Sequence, residues 1–115
     1  MIYILKDQNA FAEKIKEAGN KLVVIDFYAN WCTPCQTVSK WYQDLPEQYP
    51  DVIFCKVNVD EAEGLPEKFN ITMIPHILLF KDGKQIATQD DNKVKNILKK
   101  NIEVHYEVQC VSKTK

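Results

Sequence analysis

The run Lys-Leu-Val-Val-Ile-Asp-Phe-Tyr at positions 21–28 constrains this chain more than any other stretch. Its apolar residues do not alternate with polar ones, so neither face of the extended segment can be left to water. A strand of that kind belongs inside a sheet covered on both sides, which calls for helices above and below it. Asp26 is the exception, a carboxyl set among apolar neighbours. The run leads directly into Trp31-Cys32-Thr33-Pro34-Cys35 and then into a helical pattern over residues 34–49. Proline is tolerated in the first turn of that helix because its missing amide would have no intrahelical partner there.

The remaining elements fall around this centre. Residues 1–5 are β-branched and aromatic, a short strand. Asp7 or Asn9 can cap a helix over residues 10–18, with Phe11, Ile15 and Ala18 on one face, before Gly19-Asn20 stops it. Residues 52–59 form a third strand, 61–69 a short helix and 77–80 a fourth strand. Lys81-Asp82-Gly83-Lys84 is the strongest hairpin signal in the chain and leads to a fifth strand at 85–87. A last amphipathic helix starts near Asn92, with Val94, Ile97, Leu98 and Ile102 inward. The order is β-α-β-α-β-α-β-β-α: an α/β fold whose front half suggests parallel strands with crossover helices and whose hairpin adds an antiparallel edge.

Length and composition bound the function. The 115 residues suit one domain, and 45% hydrophobic with 27% charged residues suffice for a core without disulfide staples. A net charge of −1 with dispersed basic residues argues against nucleic-acid partners, and the longest apolar run is too short to span a membrane. The N-terminus shows no basic segment, long apolar stretch and small-residue cleavage site, so the chain is expected in the cytoplasm. Two of its four cysteines sit close together at 32 and 35, with the others far off at 55 and 110. In a reducing compartment such a pair does chemistry or binds metal more readily than it staples a fold.

The position of the pair at a helix start matters more than its spacing. Unpaired backbone N–H groups and the helix dipole favour negative charge there, so the first sulfur becomes the better thiolate. Lowering a thiol pKa from about 8.5 to about 7 corresponds to roughly 2 kcal/mol and brings the thiolate to about half at neutral pH. Cys32 is then the attacking sulfur, and Cys35, one turn later on the same face, can resolve the mixed disulfide by internal attack. The alternatives are two small buried hydrophobes or half a zinc site. Zinc needs four ligands, and Cys55, Cys110, His76 and His105 offer no second pair at knuckle spacing; no metal is expected.

At this point the chain resembles the thioredoxin family. Residues 24–35 (VIDFYANWCTPC) are similar to the family's strand and active-site segment, Lys56-Val57-Asn58-Val59-Asp60 to its third strand, and Ile74-Pro75 with Phe80-Lys81-Asp82-Gly83 to its cis-proline loop and hairpin. The resemblance covers residues 2–102 and implies a central mixed five-stranded sheet flanked by four helices, with residues 103–115 as a C-terminal extension. It also implies roles. Asp26 would be buried with a raised pKa and exchange a proton with Cys35. Lys56 would bring its ammonium near that carboxylate, a solvated strand residue being the alternative. Trp31 would shield the thiols and join the docking surface, and Pro34 would support the turn. Pro75 would be cis, with the backbone of Ile74 pairing with an extended substrate. The implied activity is reduction of protein disulfides by a monomer with no bound cofactor, recharged by NADPH through thioredoxin reductase.

Several positions depart from the family's usual pattern. Thr33 stands for a common Gly, Gln36 for a Lys, His76 for the Thr after the cis-proline, and Asp90-Asp91 for a Gly in the docking surface. Lys40 replaces a helix-kinking Pro, so a straighter helix over 34–49 is expected. These groove changes keep open a second reading, a partner-binding module with a secondary redox role. Cys55 reads as a small core hydrophobe. Cys110 lies in the extension, where Ile102, Val104, Tyr106 and Val108 alternate with polar residues; strand and frayed tail fit equally, and an exposed thiol there could serve regulation or link two copies.

Overall fold

In a computed structural model the chain is described over residues 1–89. The expected last helix from Asn92, Asp90-Asp91, Cys110 and the extension at 103–115 lie outside the described residues. The elements are β1 (Ile2–Ile4), α1 (Gln8–Ala18), β2 (Val23–Tyr28), α2 (Thr33–Tyr42), α3 (Leu45–Gln48), β3 (Ile53–Asn58), α4 (Leu65–Lys68), β4 (His76–Lys81) and β5 (Lys84–Gln89). They build a five-stranded mixed sheet in the order β1-β3-β2-β4-β5, and the first three expected helices are present, the second in two pieces.

The run at 21–28 supplies β2, the middle strand, buried from Val23 to Phe27. Its side chains alternate between two cores. Leu22 and Val24 join Val38, Tyr42, Leu45, Phe54, Ile77 and Leu79 on the α2 side. Val23, Ile25 and Phe27 join Leu5, Cys55, Val57, Leu65, Leu78 and Phe80 on the α1 side. The second core is strengthened by edge-to-face rings, Phe11 lying 5.1 Å from Phe69 and 5.3 Å from Phe80. Each fully buried large side chain contributes roughly 1.5–3 kcal/mol, so the sheet is a rigid platform. The same alternation sends Asp26 to the α2 side.

Local signals end the elements as sequence chemistry requires. The Asp7 carboxylate accepts the Ala10 N–H at 2.8 Å and caps α1. Asp82 and Gly83 both take positive φ, 53° and 76°, in the tight turn that closes the β4–β5 hairpin.

One expectation is corrected. The helix expected over 34–49 is not continuous despite Lys40: α2 ends at Tyr42, and the Asp44 N–H turns back to the Trp41 carbonyl at 3.2 Å. Pro46, in the first turn of α3, has no N–H to give to the Tyr42 carbonyl, so the ladder breaks there. The parallel pattern expected for the front of the chain holds for β1, β2 and β3, and β4 begins the antiparallel part of the expected mixed sheet. β1 and β2 run parallel to β3, whereas β4 runs antiparallel to β2 with Phe27 opposite His76. With only the four-residue α4 between them, the chain leaves β3 and enters β4 at the same end of the sheet. That end is where β2 delivers the cysteine pair.

Candidate active site

A tight turn joins β2 to α2. The Cys32 N–H donates to the Ala29 carbonyl at 3.3 Å, and Cys32 becomes the N-cap of α2. The Cys35 N–H points at the Cys32 sulfur at 3.2 Å, the contact that stabilises negative charge on that atom when it is reduced. Pro34 occupies the first turn, where its missing N–H costs nothing. Cys32 and Cys35 are joined as a disulfide, their Cα atoms 5.2 Å apart. Cys32 is less open than a loop edge suggests, with 5% of its surface exposed, and Cys35 shows 3%.

The second wall comes from the chain entering β4. The Ile74–Pro75 peptide bond is cis, Pro75 is buried, and the Ile74 carbonyl oxygen lies 3.9 Å from the Cys32 sulfur. Sequence reasoning assigned shielding of the sulfurs to Trp31. Ala29, Tyr28, Val59 and Ile74 pack around them, and Trp31 is 69% exposed. The indole N–H donates to the Asp60 carboxylate at 2.8 Å. Asn58, nearly buried, accepts the Asp60 N–H at 3.0 Å and fixes that loop. Neither Asn58 nor Asp60 was assigned a role from sequence, although both lie in the Lys56–Asp60 motif.

On the α2 side of β2, Asp26 is fully buried and its two carboxyl oxygens have no hydrogen-bond partner among the described residues. Desolvation raises its pKa from 3.8 to about 7, with the Lys56 charge pulling it down. Lys56 stands beside it in the β2–β3 register. The ammonium nevertheless donates to the Ser39 hydroxyl at 3.3 Å and lies 4.3 Å from the centre of the Tyr28 ring, and no ion pair joins it to Asp26. Ser39 escaped the sequence reading; its spacing of four from Cys35 on one helix face was the available signal. Tyr42 closes the site from below, its hydroxyl donating to the Cys55 carbonyl at 2.8 Å.

Cys55 lies on the opposite face of the sheet, fully buried, its thiol pushed up to about 12 by desolvation, and takes no part in this cluster. His76 is half-buried at the start of β4, on the same face as Leu78 and Phe80. Among the described residues no three His, Cys, Asp or Glu side chains gather as a metal site would require.

A redox-active cysteine pair at a helix N-terminus, facing a cis-proline loop over a buried carboxyl, can pass two electrons to or from a disulfide. Comparison with known proteins agrees. The family model described as Thioredoxin matches residues 2–104. The chain is 42% identical to a thioredoxin of Geodia cydonium over 76% of its length and 82% of the relative's. It is 35% identical to the thioredoxin of Homo sapiens over 76% of its length and 83% of that protein. The crystal structure of Fasciola hepatica thioredoxin superposes with a TM-score of 0.85 at 30% identity, covering 90% of this chain and 98% of that one. Sequence, geometry and relatives converge: the chain belongs to the thioredoxin family of thiol–disulfide oxidoreductases.

Proposed function

We propose that the chain is a general reductant of protein disulfides, with Cys32 as nucleophile, Cys35 as resolving thiol and Asp26 as the group that exchanges a proton with Cys35. The Cys32 thiolate attacks one sulfur of the target; a Cys32–target bond forms, the target's S–S bond breaks, and its other sulfur leaves as a thiolate that takes a proton. Cys35 passes its proton to Asp26 and attacks the Cys32 sulfur. The internal disulfide forms, the second target thiolate is released, and two electrons have moved to the target. Ile74 and Pro75 would hold an extended target segment beside the sulfur, with Trp31 at the rim.

The observation that carries this reading is the Cys35 amide aimed at the Cys32 sulfur within the cysteine pair that caps α2. Electron return from NADPH through a thioredoxin reductase, and thereby a role in electron transport, is proposed from family membership. A cytoplasmic, reducing location is proposed from cysteine usage: two adjacent working thiols and a third held reduced inside the core. Insulin disulfide reduction coupled to NADPH oxidation by thioredoxin reductase tests the whole. Robust turnover abolished by Cys32→Ser is expected. Turnover unaffected by that change would overturn the assignment and favour the reading as a partner-binding module.

A further inference from the structure

We infer that Ser39 is a positioning residue that holds the Lys56 ammonium away from Asp26, leaving that carboxyl unpaired and able to exchange protons. The inference rests on the reading of Asp26 as proton partner of Cys35. Its basis is an oddity of placement. Lys56 and Asp26 are side by side in neighbouring strands, facing the same side of the sheet. A half-buried ammonium next to a buried carboxyl with two unpartnered oxygens would be expected to close an ion pair. It does not: Nζ donates to Ser39 Oγ at 3.3 Å and sits over the Tyr28 ring at 4.3 Å.

Helix α2 explains why the serine is in place. Cys35, Val38, Ser39 and Tyr42 follow one another at helical spacing along the face turned to the sheet, the other three being buried. The turn after the resolving cysteine therefore hangs the Ser39 hydroxyl over the β2–β3 seam, while Thr37 stays exposed. Among the described residues, the charged or titratable groups coupled to Asp26 are Lys56 from β3, Tyr28 from β2 and Tyr42 from α2; β4 places apolar Ile77 opposite Asp26, and Lys81, farther along the same face, gives its ammonium to the Asn20 carbonyl. Tyr42 is engaged with a backbone carbonyl. Lys56 is the one cation of the group, and Ser39 decides which way it leans. With the hydroxyl gone, the ammonium loses the partner that draws it to α2, and a cation that leans towards Asp26 favours the ionised carboxylate.

The test is a carbon-13 NMR titration of the Asp26 carboxyl in the disulfide form, where neither Cys32 nor Cys35 titrates. The wild-type midpoint is expected near 7. Ser39→Ala, a mild change within a helix, is expected to lower it by about one pH unit. Lys56→Met should raise it, and Ser39→Ala added to Lys56→Met should then have no effect. An unchanged midpoint in Ser39→Ala, or an equal displacement with and without Lys56, would overturn the inference. The pH profile of mixed-disulfide resolution is read on the same variants, and on Asp26→Asn. If Ser39→Ala moves the carboxyl midpoint while Asp26→Asn leaves the resolution profile as in wild type, the positioning role of Ser39 stands and the proton-transfer reading of Asp26 falls.

Discussion

Replacing Asp26 by alanine probes the site through stability alone. The carboxyl is fully buried, and burial raises its pKa from 3.8 to about 7 against the opposing pull of Lys56. Between those values the folded protein keeps a proton that the unfolded chain has lost. Unfolding free energy therefore falls by about 1.4 kcal/mol for each pH unit in that window. The stabilisation of the neutral carboxyl is fully present below pH 3.8, is lost as pH rises through 7, and amounts to about 4 kcal/mol in all. Alanine abolishes the titration and leaves a small cavity costing about 1 kcal/mol. The variant should thus be more stable than wild type by about 3 kcal/mol at pH 8 and less stable by about 1 kcal/mol at pH 4. Urea unfolding of both proteins in the disulfide form, at intervals from about pH 4 to pH 8, measures the difference. A difference that stays constant across that range would refute the claim that Asp26 is buried at the expense of its charge.

Four further outcomes follow from the packing. Asp7→Ala removes the cap on the Ala10 N–H and should cost about 1 kcal/mol by urea unfolding, with thiol exchange unchanged. Cys55 should resist iodoacetamide in the native state, because its thiol is fully buried and its pKa lies near 12, and should be alkylated only on unfolding. Cys55→Ser should lower stability by about 1–3 kcal/mol, by placing a hydroxyl in an apolar core. Trp31→Phe loses the hydrogen bond to Asp60 at an exposed site; stability should change by less than about 1 kcal/mol, while insulin reduction falls several-fold if the indole belongs to the docking face.

Much of the architecture was legible in the chain because the informative residues act locally. The unbroken apolar run at 21–28 announces a strand with no wet face, Pro34 marks a helix start, and Asp82-Gly83 names its own turn. What escaped depends on partners distant in sequence. Apolar period shows that a strand is buried but carries nothing about direction; the mixed sheet came from the family resemblance and the hairpin signal. Pro46 did carry a local signal for the break after Tyr42; attention to Lys40 as the family's proline position hid it. Cys32 and Cys35 could be placed from spacing and context, whereas the Ser39–Lys56 contact joins α2 to β3 and the Asp60–Trp31 contact joins two loops. Such pairs exist only once the topology does.

The near-complete enclosure of Cys32 has a bearing on selectivity. With so little of the sulfur open, a folded protein whose disulfide lies flush on a flat surface is expected not to bring sulfur to sulfur. Targets should therefore be screened by contour before any bond is exchanged: those that project a bridge on a ridge, or let the segment around it come loose, are expected to gain entry, and sturdier ones to be passed over.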